Sequence, residues 1–155
     1  MATWGEIEQL YPEFAARVRA LFDSERHKTL ATVRADGSPR ISGIECDFSD
    51  GELRFGSMPA ARKLADLMRD PRFALHGPTT HPVEGKEREW PGEAKVSGRA
   101  MAVVDDDQTP AEPQDGVQFV ANISEVVITR LNDEATLLVV ESWTPTRGYR
   151  LVERE

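Results

Sequence analysis

Residues Lys28–Ser57 read "KTLATVRADGSPRISGIECDFSDGELRFGS". Three runs rich in β-branched and aromatic residues alternate with two turn signals, "ADGS" at 35–38 and "DG" at Asp50-Gly51. Such runs read as strands, and short Gly-containing links between them read as hairpins. The stretch therefore predicts an antiparallel meander: "HKTLATVR", then "PRISGIECDFS", then "ELRFGS". A meander this early sets the whole chain towards an antiparallel β fold.

On its N-terminal side, Ile7, Leu10, Phe14, Val18, Leu21 and Phe22 recur at steps of three and four, a helical stripe facing a core. Pro12 divides it into a short turn and a main helix starting near Pro12. On the C-terminal side a helix opens at Pro59, with Ala60, Ala61, Leu64, Leu67 and Met68 on one face. It stops at Asp70-Pro71, because the residue before proline avoids helical geometry. "RFALHG" is a strand, and residues 78–92 form a long loop rich in Pro, Gly and charge. "EAKVSGRAMAVVD" is a strand kinked at Gly98. A second acidic loop carries Asp105-Asp106-Asp107, a solvated run that lacks the glycine and terminal glutamate of a calcium loop. "VQFVANISEVVITRL" holds one or two strands, "TLLVVESW" another and "YRLVE" a last short one. Six to eight antiparallel strands with flanking helices predict a mainly β barrel or sandwich. The chain reads as one domain, 1–155, with a helical segment at 1–26 and the barrel at 27–155.

The formal net charge is −8, which disfavours nucleic acid and anionic membrane surfaces as partners. Cys46 is the one cysteine, so no internal disulfide forms and a reducing cytoplasm fits. The acidic start "MATWGEIEQLYPEF" has no apolar run and is not a secretory signal. No stretch reaches eighteen consecutive apolar residues.

One feature is out of place. Arg62 and Lys63 open the helix after "ELRFGS", where the helix dipole disfavours cations. Read alone, they are solvated and Arg62 pairs with Asp66 one turn on. A bound phosphate would instead make both sensible, because free N–H groups, the dipole, a guanidinium fork and an ammonium would converge on it.

In the order and spacing of "KTLATVRADGSPRISG", "DGELRFGS", "ARKLADLMRDPRFAL" and "VVESWTPTRG", the chain resembles the flavin-binding split β-barrel family, the pyridoxamine 5′-phosphate oxidase-like proteins, from about His27 to Arg150. The resemblance implies a homodimer with a flavin, FMN above all, in each of two clefts between subunits, and redox chemistry on a small organic substrate. It places the flavin phosphate at Ser57, Arg62 and Lys63, with Arg40 from the second strand. It implies cofactor-lining roles for His76, at the end of the fourth strand, and for Trp143, an aromatic near the C-terminus. Structurally, Trp143 could equally only cap the barrel. Glu45 departs from the family pattern, standing where the oxidase proper carries a lysine facing the phosphate. Vitamin B6 oxidation is accordingly not expected. A deazaflavin-dependent reductase, a haem-binding protein and a non-catalytic flavin module are the alternatives.

Other constellations carry less. His27, His76 and His81 match no usual zinc spacing, and Cys46 in a strand reads as a packed side chain. No G-x-S-x-G elbow appears. Trp90 would cover a substrate or the barrel rim, and Arg147 and Arg150 could reach an anionic cofactor tail.

Overall fold

Thr3 starts the first helix with a reciprocal cap: its hydroxyl accepts from the Glu6 amide, and the Glu6 carboxylate accepts from the Thr3 amide at 2.7 Å. Helix α1 (Trp4–Leu10) is thus a helix rather than the expected turn. Pro12 then occupies the first position of α2 (Pro12–Asp23), where its missing N–H costs nothing. The two helices bury Trp4, Ile7, Phe14, Val18 and Phe22, the predicted stripe, while Leu10 stays exposed. The computed structural model of the chain describes residues 1–103 and 116–155. The Asp105–Asp107 run and most of its expected loop lie outside the described residues.

The described residues form nine strands: β1 (Lys28–Val33), β2 (Pro39–Ile44), β3 (Cys46–Ser49), β4 (Glu52–Ser57), β5 (Arg72–His76), β6 (Glu93–Ala102), β7 (Val117–Leu131), β8 (Leu138–Thr144) and β9 (Gly148–Arg154). Helix α3 (Arg62–Arg69) lies between β4 and β5. All pairings are antiparallel, and the fold is mainly β with flanking helices. The strand expected as "PRISGIECDFS" breaks at Glu45. Its first half, β2, pairs with β1, and its second half, β3, pairs with β4. These halves become the two ends of the path β2-β1-β5-β6-β7-β4-β3. The ends are not hydrogen-bonded to each other, so the barrel is split.

β7 explains the split. One edge pairs with β6 through residues 119–129. The other pairs with β4 through residues 117–120 and with β8 through residues 126–131. The strand is one continuous element because β6 runs alongside it with a single bulge. There the register steps from Ser97–Glu125 to Gly98–Ile123, at the predicted kink. Gly98 is required: a Cβ there would stand 2.1 Å from the Asn122 carbonyl oxygen.

The core joins both halves. Phe55 packs against Phe73 and Phe119, while Phe48 meets Trp4 from α1 and Phe22 from α2. No helix of the described residues is long and apolar enough to cross a membrane.

Candidate functional site

Helix α3 begins three residues later than the sequence suggests. Pro59 and Ala60 precede it, and Ala60 takes a left-handed φ of 60° and is exposed rather than on the buried face. Met68 is likewise half exposed, whereas Leu64 and Leu67 are buried. Ala61 is the N-cap, a residue without an oxygen to cap the helix, and the first turn has no acid. Arg62 and Lys63 are the first two helical residues. Their amides have no acceptor among the described residues.

This helix start stands beside a cleft of about 670 Å³, lined by Gly43, Glu45, Asp47, Ser57, Met58 and Lys63 among others. The Lys63 ammonium donates to the Gly43 carbonyl oxygen at 3.0 Å, which swings it across the end of β2. Ser57 is buried on β4, and its hydroxyl has only a long 3.4 Å contact, to the Met58 carbonyl. Arg62 is exposed and makes no ion pair among the described residues. The Arg62–Asp66 pair considered from sequence does not form.

Asp66 points inward instead. It is 3% exposed and accepts from Thr32 Oγ1 at 2.8 Å, from Arg40 Nε at 2.7 Å and from Arg69 at 3.2 Å. Burial pushes its carboxyl up, but these hydrogen bonds outweigh it and hold it below the usual carboxylate range. Arg40 is therefore committed to a buried acid and is not among the residues lining the cleft.

Glu45 does line the cleft, at the corner between β2 and β3. Its carboxylate is held by Arg26 at 2.9 Å, with His27 at 3.8 Å. His27 also lines a second cleft of about 760 Å³ on the outer face of β1, β5 and β6. His76 belongs to that second cleft, opposite Thr29 and Lys95 in register. Its Nδ1 lies 2.6 Å from the Gly77 carbonyl oxygen and its Nε2 3.7 Å from Glu93. Trp143 is 3% exposed and belongs to the core, paired in register with Val126 and Tyr149. Trp90 donates to the Thr80 carbonyl at 2.7 Å and straps the long loop to itself. Arg147 and Arg150 are exposed.

The structure thus gathers Ser57 and Lys63 in one cleft, with Arg62 at the same helix start, and sets Arg40, His76 and Trp143 elsewhere. Two buried acids escaped the sequence reading. Asp66 was seen only as a surface partner, and Glu141 not at all. Glu141 is 1% exposed and accepts from Arg17 at 2.5 and 2.6 Å, from Arg130 at 2.8 Å and from Tyr149 at 2.5 Å. Its signal was a lone acid inside the apolar run "TLLVVESW".

Residues 14–147 match the sequence pattern of the family described as pyridoxamine 5′-phosphate oxidase. The chain belongs to the pyridoxamine 5′-phosphate oxidase family. Solved structures share its fold. A pyridoxamine 5′-phosphate oxidase-related, FMN-binding protein from Nostoc punctiforme superimposes with a TM-score of 0.61 at 13% identity, over 100% of this chain and 98% of its own. PhzG from Burkholderia lata, solved with tetrahydrophenazine-1-carboxylic acid, gives 0.60 at 14% identity over 96% and 89%. An F420 reductase gives 0.52 at 20% identity over 70% and 94%. No curated protein matches the chain.

For a member of the pyridoxamine 5′-phosphate oxidase family, the fit of the cleft to a phosphorylated flavin can be judged on its own atoms. The site offers an uncapped helix start, two open amides, a lightly engaged hydroxyl and a lysine. These are the donors a phosphate needs. The volume lies within the range of cofactor pockets.

Proposed function

We propose that this protein is an oxidoreductase that binds FMN and acts on a small organic substrate as a homodimer. The observation that carries the reading is the uncapped start of α3, with Arg62 and Lys63 as its first residues, opening onto the cleft beside Ser57. A flavin bound there supplies the hydride or electron chemistry. The chain's own residues bind and orient: Ser57 donates its hydroxyl to the phosphate, Lys63 and Arg62 neutralise it, and the α3 amides aim it. The Nostoc neighbour's FMN binding supports this cofactor. The F420 reductase neighbour supports a deazaflavin as the second reading.

Two exposed apolar side chains support the dimer. Met58 is 77% exposed on the rim of the cleft, and Ile41 is 75% exposed on the outer face of β2, over the small side chains Ala31 and Ala74. Exposed apolar groups of this kind on a flat sheet suit a second copy of the chain.

Titration of the protein with FMN, followed by flavin fluorescence, tests the assignment. Wild type should bind, and the combined variant Arg62→Ala with Lys63→Ala should bind about ten- to a hundredfold more weakly with an unchanged melting curve. Equal affinity in both would overturn the phosphate site. An absorption spectrum of the purified protein separates flavin from deazaflavin, and sedimentation with and without flavin tests the dimer.

A further inference from the structure

Glu141 is the common acceptor of two guanidiniums. Arg17 of α2 donates to it through both terminal nitrogens, and Arg130 of β7 through Nε. The Tyr149 hydroxyl adds a hydrogen bond but no charge. Two cations therefore share one buried carboxylate, and one positive charge is left over. The Arg130 Nη1 donates to the Leu131 carbonyl, while the Arg17 Nε and the Arg130 Nη2 have no acceptor among the described residues. Both arginines line a cavity of about 290 Å³ between α2, β7 and the long loop. Ala20, Leu21, Ile128, Pro78 and Pro91 make its walls largely apolar, and no carboxylate of the described residues lines it. The loop wall is held in place at both ends. Trp90 donates to the Thr80 carbonyl at 2.7 Å. Gly92, with a φ of 86°, lets the loop lie against β7 where a Cβ would stand 2.5 Å from the Thr129 carbonyl oxygen.

We propose that this cavity is a second ligand site, taking a small monocarboxylate with a compact apolar body and holding its carboxylate on Arg17 and Arg130. Each part of the ligand answers a feature of the cavity. One negative charge matches the one cation left over by Glu141, whereas a phosphate dianion brings more charge than the pair can balance. Guanidiniums present planar N–H edges suited to a carboxylate. The apolar walls favour a hydrocarbon body, and the volume suits a compact molecule rather than a nucleotide. Glu141 is a positioning residue in this arrangement, holding both guanidiniums at the cavity wall. The site stands apart from the flavin reading, since it shares no lining residue with the cleft beside α3.

The test uses benzoate as the probe on the full chain, with binding read by isothermal titration calorimetry. Wild type should bind benzoate saturably at millimolar concentrations or below. It should bind benzamide and inorganic phosphate about tenfold or more weakly. Ala20→Leu fills the cavity from an exposed position on α2 and leaves the charges in place, so it should abolish benzoate binding with an unchanged melting curve. Arg17→Gln should weaken benzoate about tenfold. Lys63→Ala, in the other cleft, should leave benzoate affinity unchanged. A wild type with no saturable benzoate binding would overturn the proposal, as would benzamide or phosphate binding as tightly as benzoate. A folded Ala20→Leu or Arg17→Gln variant that binds benzoate like wild type would overturn it too. So would loss of benzoate binding in Lys63→Ala, which places the probe in the other cleft. FMN titration of the same proteins reports on the cofactor reading separately.

Discussion

The guanidinium of Arg40 donates through Nε to the buried carboxylate of Asp66 at 2.7 Å, joining β2 to α3 behind the cleft. This pair ties β2 to the helix whose first residues stand beside the cleft.

Replacing Arg40 with alanine should therefore cost stability rather than binding. Asp66 would remain buried with Thr32 and Arg69 as partners. Leaving a buried acceptor partly unpaired costs about 1–3 kcal/mol. Urea denaturation should show that loss, with FMN affinity changed less than about threefold in the folded protein. Lys63→Ala should do the reverse, since the side chain holds only one carbonyl.

Glu141 should make the protein acid-sensitive. Its burial pushes the carboxyl up, but hydrogen bonds from Arg17, Tyr149 and Arg130 bring it down to about 2, against an ordinary value of 4.5. A carboxyl lowered by folding contributes stability above its unfolded value and loses it as pH falls from about 4.5 to about 2. That contribution is about 3 kcal/mol. Glu141→Gln should flatten the pH dependence of the unfolding free energy over this window and lower stability at pH 7. A wild-type curve with no decline below pH 4.5 would contradict the assignment.

Cys46 lines the cleft yet should be a poor nucleophile. Burial pushes its thiol up to about 11, and nearby Lys28 offsets only part of this. The thiolate is the reactive form. A disulfide reagent at pH 8 should modify native protein far more slowly than urea-unfolded protein, with native reactivity still rising towards pH 10. Equal rates in the two states would show the thiol to be open.

Gly98 sits at the bulge, where an added Cβ would strike the Asn122 carbonyl. Gly98→Ala should destabilise by about 2 kcal/mol or more. Ala100→Gly, two residues on and on the same strand, should cost only about 1 kcal/mol. Thermal melts of the two variants compare them directly.

The strands were legible because their signals are local. Alternation and turn residues placed β1, β5 and β8, and Gly98 placed the bulge. The corner at Glu45 was not legible, because "GIECDF" alternates smoothly and the change of partner is decided by strands far away in the chain. The helix start slipped from Pro59 to Arg62 because Ala60 takes a left-handed turn that alanine composition does not announce. At the candidate site, the nearness of Ser57, Arg62 and Lys63 was legible because they follow one another along the chain. The contact of Arg40 with Asp66 was not, because Asp66 comes from α3 and its burial is a property of the packed fold.

The break at Glu45 also governs how the seam behaves mechanically. β2 and β3 are the two ends of the strand path, yet a single residue links them. Consecutive Cα atoms stay about 3.8 Å apart, so at this end the seam is tied by covalent bonds and cannot gape. The far ends, at Pro39 and Ser49, have no such tether. The Gly43–Asp47 wall of the cleft lies at this tied end of the seam.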